Sequence, residues 1–232
     1  MTIRTVAETG STNADMLVLA RDGAEEGLWL RAQQQTAGRG RQGKEWTSPA
    51  GNLYASTLIR LRPGDPPAAT LALVAAVALR EAVAVFGVAA QVKWPNDLLV
   101  GGAKLSGILL ERSDDAVVIG IGVNLAHHPD LPDRPTTSLA ALGAVVAPDV
   151  FLEVLSEAHA RWLGRWRGEG LATLRSAWLA VAHPVGTALT VRLPDGGIEN
   201  GLFDGLDADG ALMLRLASGR THVIHAADVF LL

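Results

Sequence analysis

Across residues 151–166 apolar side chains recur every three or four positions: Phe151, Leu152, Leu155, Ala158, Trp162, Leu163 and Trp166, with Glu153, Glu157, Arg161 and Arg165 between them. That period predicts an amphipathic helix with one face in a core. An almost wholly apolar stretch, 68–90, opens behind Pro66 and Pro67 and predicts a buried helix to about Phe86. Arg80, Glu81 and Gly87 interrupt it, so it is expected to fall short of the ~20 unbroken apolar residues of a membrane span. Shorter helices are predicted over 14–21, behind the polar run 9–13 and ahead of Gly23, and over 171–181.

Strands are predicted over 2–7, 28–34, 53–61, 91–93, 98–100, 104–112 and 116–123. Gly101-Gly102 reads as a hairpin between two of them, and Asp114-Asp115 as the next turn. From 36 to 52 there is no period, only Gly, Arg, Ser, Pro and one Trp; so long an irregular segment inside a domain usually carries function. Beyond His183-Pro184 short apolar runs alternate with Pro-Asp-Gly-Gly, Asp-Ala-Asp-Gly and Ser-Gly turns, which predicts a small all-β barrel. The chain therefore divides into a main domain, 1–183, and a C-terminal domain, 184–232, with no internal repeat.

At 232 residues, 49% hydrophobic and 19% charged, the chain has the composition of a globular protein. A formal net charge of −4 argues against an electrostatic trap for nucleic acid, and the absence of cysteine leaves no disulfide or thiolate metal site. The first residues have no apolar core behind a positive charge, so no secretory signal is expected. These features predict a soluble, cytoplasmic protein with no membrane or DNA partner.

Residues 38–43, Gly-Arg-Gly-Arg-Gln-Gly, match G-x-G-x-x-G, but Lys44-Glu45-Trp46-Thr47-Ser48-Pro49 behind them cannot be the helix of a dinucleotide site, and no kinase motif follows. The loop offers backbone N–H groups and two guanidinium forks, suited to a carboxylate or a phosphate; a solvated basic turn is the bland alternative. Lys93-Trp94-Pro95-Asn96-Asp97 sets polar groups around a stiff Trp-Pro pair, and Lys104 leads the small-residue strand start Leu105-Ser106-Gly107. Gly120 and Gly122 interrupt the strand before Asn124, marking either a ligand's close approach or a bulge. His127-His128 lack partner ligands at metal spacing, and His222 and His225 are expected to be structural or exposed. Asp207 and Asp209 read as a hairpin turn, and Trp162/Trp166 as core.

In order along the chain stand Ser11-Thr12-Asn13, Gln35-Thr36-Ala37-Gly38-Arg39-Gly40-Arg41-Gln42-Gly43 leading to Trp46, Lys93-Trp94-Pro95-Asn96-Asp97, Lys104-Leu105-Ser106-Gly107-Ile108-Leu109 and Gly120-Ile121-Gly122-Val123-Asn124. Together they make the chain resemble the biotin protein ligase family over nearly its whole length, in the type without an N-terminal DNA-binding domain. Gln42 and Lys44 depart from more basic residues in some relatives. The resemblance implies an α+β fold related to class II aminoacyl-tRNA synthetases: a mixed sheet with helices on one face, plus a small SH3-like barrel. It implies activation of biotin by ATP, with Mg2+, and transfer of biotin to a lysine of a biotin carboxyl carrier protein by a monomer or homodimer.

By the same resemblance Ser11, Thr12, Asn13, Gln35 and Gly107 would bind biotin. Arg39 and Arg41, with the backbone of Gly38 and Gly40, would close on its carboxylate and the α-phosphate, with Lys104 between the two. Trp46, Lys93, Asn96, Gly120 and Asn124, with Arg39 and Lys104, would take the ATP side. Lys104, Arg39 and Arg41 are the candidate catalytic groups, and no metal ligand is assigned because Mg2+ would ride on the phosphates. A lipoate or octanoate ligase of related fold and a non-catalytic biotin sensor are the alternatives.

Overall fold

The computed structural model describes residues 2–132 and 134–231 of the chain. Seven strands, β1 (Thr2–Thr9), β2 (Leu28–Gln35), β3 (Leu53–Arg60), β4 (Gln91–Lys93), β5 (Asp97–Val100), β6 (Ala103–Ser113) and β7 (Ala116–Val123), form one sheet in the order β1-β2-β3-β7-β6-β5-β4. Helix α1 (Thr12–Arg21) crosses from β1 to its parallel neighbour β2; every other pairing in the sheet is antiparallel. The sheet is therefore mixed, as the resemblance implies.

Period-two alternation sorts β3 and β7 between two layers. Leu53, Ala55 and Ile59 with Val117, Ile119, Ile121 and Val123 join the main core, against α2 (Leu71–Val85) and α3 (Pro148–Glu169). Leu58, Ala116 and Val118 point the other way and pack with Met16 and Ala20 of α1. The helices are thus not confined to one face: α1 covers part of the opposite face, and the part it leaves bare holds the site.

Helix α3 buries Phe151, Leu152, Leu155, Ala158, Trp162 and Trp166 as its period requires, with the Trp166 indole donating to Thr70 Oγ1 at 2.8 Å. The segment Ala68–Val85 is, against the sequence expectation, long and apolar enough to cross a membrane by composition, with mean hydropathy 1.9. Its buried residues pack into the main core instead. It begins with a tight turn, and regular helix starts at Leu71 because Thr70 bonds back to Pro67 O. A final helix, α4 (Leu171–Leu179), is followed by a second sheet of β8 (Ala188–Arg192), β9 (Ile198–Leu206), β10 (Leu212–Arg215), β11 (Thr221–Ile224) and β12 (Asp228–Leu231). Its pairings are antiparallel in the order β11-β10-β9-β8-β12. Asp207 caps the β9–β10 turn by accepting from the Asp209 and Ala211 amides.

His159, like the buried His183, gives stability a pH dependence. His159 stands edge-on to Trp29, with ring centroids 5.5 Å apart, and burial pulls its pKa from 6.5 to about 4 against the opposing pull of Glu26. The unfolded chain gains a proton near pH 6.5 but the native one only near 4. His159 therefore contributes fully above 6.5, and that contribution is lost as pH falls toward 4. Urea denaturation midpoints measured from pH 7 down to 4.5 should fall accordingly. His159→Phe should remove about one proton from the uptake on unfolding near pH 5; an unchanged slope would contradict this.

Candidate active site

The bare face of the sheet forms the floor of a cavity of about 300 Å³. The floor can be deep because Gly107 of β6 stands opposite Gly122 of β7, and Leu109 opposite Gly120. The indole of Trp46 lies across the two facing glycines: a Cβ on Gly122 would come 2.5 Å from the ring, and one on Gly107 3.1 Å. The Trp46 Nε1 atom is buried there with no hydrogen-bond partner among the described residues.

The segment that looked irregular in sequence is a compact hairpin. Arg39 bridges to Glu45, the Gly40 amide donates to Lys44 O at 2.7 Å, and the Trp46 amide donates to Gly38 O at 2.9 Å. Its tip, Arg41–Gly43, is a short turn with Gln42 at φ +56°. Gly38 lacks a side chain because a Cβ would sit 2.6 Å from Ser48 Oγ. The hairpin is tied to distant parts of the molecule, among them the turn at Asn96 and the C-terminal sheet. Arg41 Nη1 donates to Asn96 Oδ1 (3.3 Å) and Ala227 O (3.2 Å), and Asp228 of β12 pairs with Lys44 at 2.7 Å and, more loosely, with Arg41 at 3.9 Å. Burial raises the Asp228 carboxyl, but Lys44 and Arg41 hold it below the ordinary carboxylate value.

Two lysines meet on one carboxylate. Asp97 is 6% exposed, with Lys104 Nζ 2.5 Å from Oδ1 and Lys93 Nζ 3.1 Å from Oδ2. Burial raises the Asp97 pKa, and the two lysines more than reverse that, keeping it anionic. Burial pulls the Lys104 ammonium below 10.5, against the pull of Asp97. Lys104 is thus a half-buried cation, 5.5 Å from the Trp46 ring centroid and on the cavity wall. Lys93 turns away and donates to Val229 O at 2.9 Å.

At the other end the groups are neutral. The first turn of α1 brings Ser11, Thr12 and Asn13 to the wall; the helix starts two residues earlier than the pattern predicts because Gln35 Oε1 accepts from the Thr12 amide (2.9 Å) and hydroxyl (3.2 Å). Gln35 Nε2 continues to Ser48 Oγ, and Ser48 to Trp46 O.

The cavity thus gathers Ser11, Thr12, Asn13, Gln35, Arg39, Gly40, Arg41, Trp46, Asn96, Lys104, Gly107, Gly120 and Asn124 from the sequence assignment. Gly38 and Lys93 do not line it. Gly120 abuts Asn13, at the neutral end rather than beside the lysines, and Asn124 spends its amide on Thr137 O. Sequence reasoning passed over Asp97, although it stood inside a quoted motif, and Asp228, Arg134, Tyr54 and Gly122, which line the same cavity. Only Asp97 and Gly122 carried a signal, each lying in a motif already singled out. Of the histidines, His128 Nδ1 faces Ser138 Oγ at 3.1 Å and His222 Nδ1 faces Glu199 at 2.6 Å.

Residues 10–124 match the model of the biotin/lipoate A/B protein ligase family, and residues 186–232 match the biotin protein ligase C terminal domain. A biotin–[acetyl-CoA-carboxylase] ligase of Paracoccus denitrificans is 43% identical over 240 residues, covering 97% of this chain and 98% of that protein. The chain belongs to the biotin protein ligase family. A biotin–[acetyl-CoA-carboxylase] ligase of Mycobacterium tuberculosis is 38% identical over 97% of the chain and 86% of its own length. The fold matches that of the biotin protein ligase from Aquifex aeolicus in complex with biotin and ATP, with a TM-score of 0.87 at 24% identity over 100% of this chain and 98% of that one.

Proposed function

We infer that this protein is an ATP-dependent, AMP-forming biotin–protein ligase that acts on a lysine of a biotin carboxyl carrier protein. The observation that carries the reading is a cavity lined both by the neutral hydrogen-bonding groups of Ser11, Thr12, Asn13 and Gln35 and by the cations Arg39, Arg41 and Lys104, in a chain 43% identical to a biotin–[acetyl-CoA-carboxylase] ligase. A carboxylate does not acylate an amine near neutral pH, so it must be activated. A carboxylate oxygen of biotin attacks the α-phosphorus, the bond to the β-phosphate oxygen breaks, and pyrophosphate leaves. The carrier lysine, as free amine, then attacks the anhydride carbonyl and AMP leaves.

The protein's part is placement and charge. Ser11, Thr12, Asn13 and Gln35 receive the ureido head. Lys104, held by Asp97, sits between carboxylate and α-phosphate, where negative charge grows. Arg39 and Arg41 close over the same atoms, and Trp46, Asn96 and Asn124 shape the nucleotide end; Gly120 we assign to the head-group end beside Asn13. Among the described residues no three histidine, cysteine or acidic side chains converge, and Asp97 and Asp228 are committed to cations. Mg2+ therefore fits as a companion of the nucleotide's phosphates, neutralising their charge. Residues 1–183 form the catalytic unit and 184–232 the C-terminal one, whose Asp228 completes the loop's seat. We place the enzyme in the cytoplasm, with no DNA partner.

Isotope exchange between pyrophosphate and ATP tests the acid specificity. Biotin should drive it, and lipoate and octanoate should not. Exchange driven by lipoate alone would move the assignment to the other branch of the matched family.

A further inference from the structure

The neutral end of the cavity is organised by a residue outside its wall. Asn13 is 3% exposed, and its amide is held from three sides: Nδ2 donates to Glu111 Oε2 at 2.8 Å and to Leu109 O at 3.4 Å, and Oδ1 accepts from Ser56 Oγ at 2.6 Å. Gly120 makes room for it, since a Cβ there would come 2.8 Å from Asn13 Cγ. The second oxygen of Glu111 lies 3.6 Å from Arg39 Nη2. The first turn of α1, β6 and β7 thus converge on one amide, and Glu111 decides which way round it sits. Flipped, the amide would set its oxygen against a carboxylate, two acceptors face to face. In the orientation found, both amide N–H donors are spent on protein, and what Asn13 keeps for a ligand is a lone pair on Oδ1.

We propose that Glu111 is a positioning residue that determines head-group specificity: by locking the Asn13 amide it makes this end of the cavity an acceptor of hydrogen bonds. A head group that donates N–H, as a cyclic urea does, is then selected over one that cannot, such as a dithiolane. Discrimination of this kind is strong because a buried acceptor left unpaired by the wrong ligand loses its water without replacement. The inference rests on the biotin reading above.

The test is steady-state ATP–pyrophosphate exchange with the full chain and biotin. Glu111→Leu should raise the biotin KM about tenfold or more, the size of one charge-assisted hydrogen bond, and by more than it changes the ATP KM or kcat, which it reaches only through the looser 3.6 Å contact with Arg39. Glu111→Gln, whose amide oxygen can still accept from Asn13, should recover most of that loss. Asn13→Asp sets two carboxylates together and should raise the biotin KM further; adding Glu111→Gln, which exchanges donor and acceptor, should bring it back. A biotin KM for Glu111→Leu within about threefold of the unsubstituted chain, or losses from Asn13→Ala and Glu111→Leu that simply add, would overturn the inference. Should Glu111→Leu fail to fold, the Asn13→Asp pair decides, and no recovery on adding Glu111→Gln overturns it. Absence of biotin-driven exchange in the unsubstituted chain would instead overturn the biotin reading itself, and this inference with it.

Discussion

Lys104→Ala is expected to slow formation of the biotinyl-adenylate by about 10²–10³-fold, the usual cost of removing one preorganised electrostatic stabiliser. The ammonium is already in place, fixed at 2.5 Å by a buried carboxylate, so it need not reorganise when charge grows on the phosphate and the attacking oxygen. The fold should suffer less than the rate, because Asp97 keeps Lys93 at 3.1 Å and is not left as a lone buried charge. Single-turnover adenylation beside a denaturation curve separates the two effects. The protonated lysine is the active form, so the rate in the unsubstituted enzyme should fall as pH rises through its pKa. Burial puts that pKa below 10.5, and the alkaline limb should lie there and vanish in Lys104→Ala. A near-normal rate in the variant would show that Lys104 is a structural partner of Asp97 and nothing more.

Arg41→Gly should release the adenylate about 10- to 100-fold faster, which is what loss of a hydrogen-bonded charge costs. Arg41 ties the hairpin to Asn96 and to the backbone of Ala227, and without it the hairpin keeps the Lys44–Asp228 pair but loses these two bonds. Freed, the glycine-rich tip regains the roughly 1–2 kcal/mol of backbone entropy per residue that its fixing had removed. The mixed anhydride is then exposed to water before a carrier arrives. Rapid filtration of preformed adenylate, without carrier, measures the release. Hydrogen exchange over 36–52 should also slow when biotin binds the unsubstituted protein. Equal protection with and without biotin would mean that the hairpin is a fixed wall rather than a gate.

The elements of the site could be read from the chain because they depend on local chemistry. Glycine pairs mark where a strand must leave room, Trp-Pro stiffens a turn, and the three-to-four-residue period of Phe151 to Trp166 places α3 against the core. What could not be read depends on register and on contacts across the two sheets. Nothing near Asp228 distinguishes it from any other acid in a hairpin-rich tail; its role comes from β12 passing under a loop far away in sequence. Gly120 looked like a place for a ligand to approach, and it is Asn13 that fills the space. Glu111 follows an apolar run that ends in an ordinary-looking charge, and only the pairing of β6 with β7 brings it under α1. The apolar stretch of α2 shows the reverse, composition fit for a membrane and packing that places it in a protein core.

Transfer of biotin to a carrier tests the account most directly. Purified protein, incubated with ATP, Mg2+, biotin and an isolated biotin carboxyl carrier domain, should add one biotinyl group to a single lysine of that domain, read by intact mass and peptide mapping. The addition should require ATP and disappear when the acceptor lysine is replaced by arginine. A folded sample that leaves the carrier unmodified, while lipoate is accepted on its own carrier domain, would contradict the assignment.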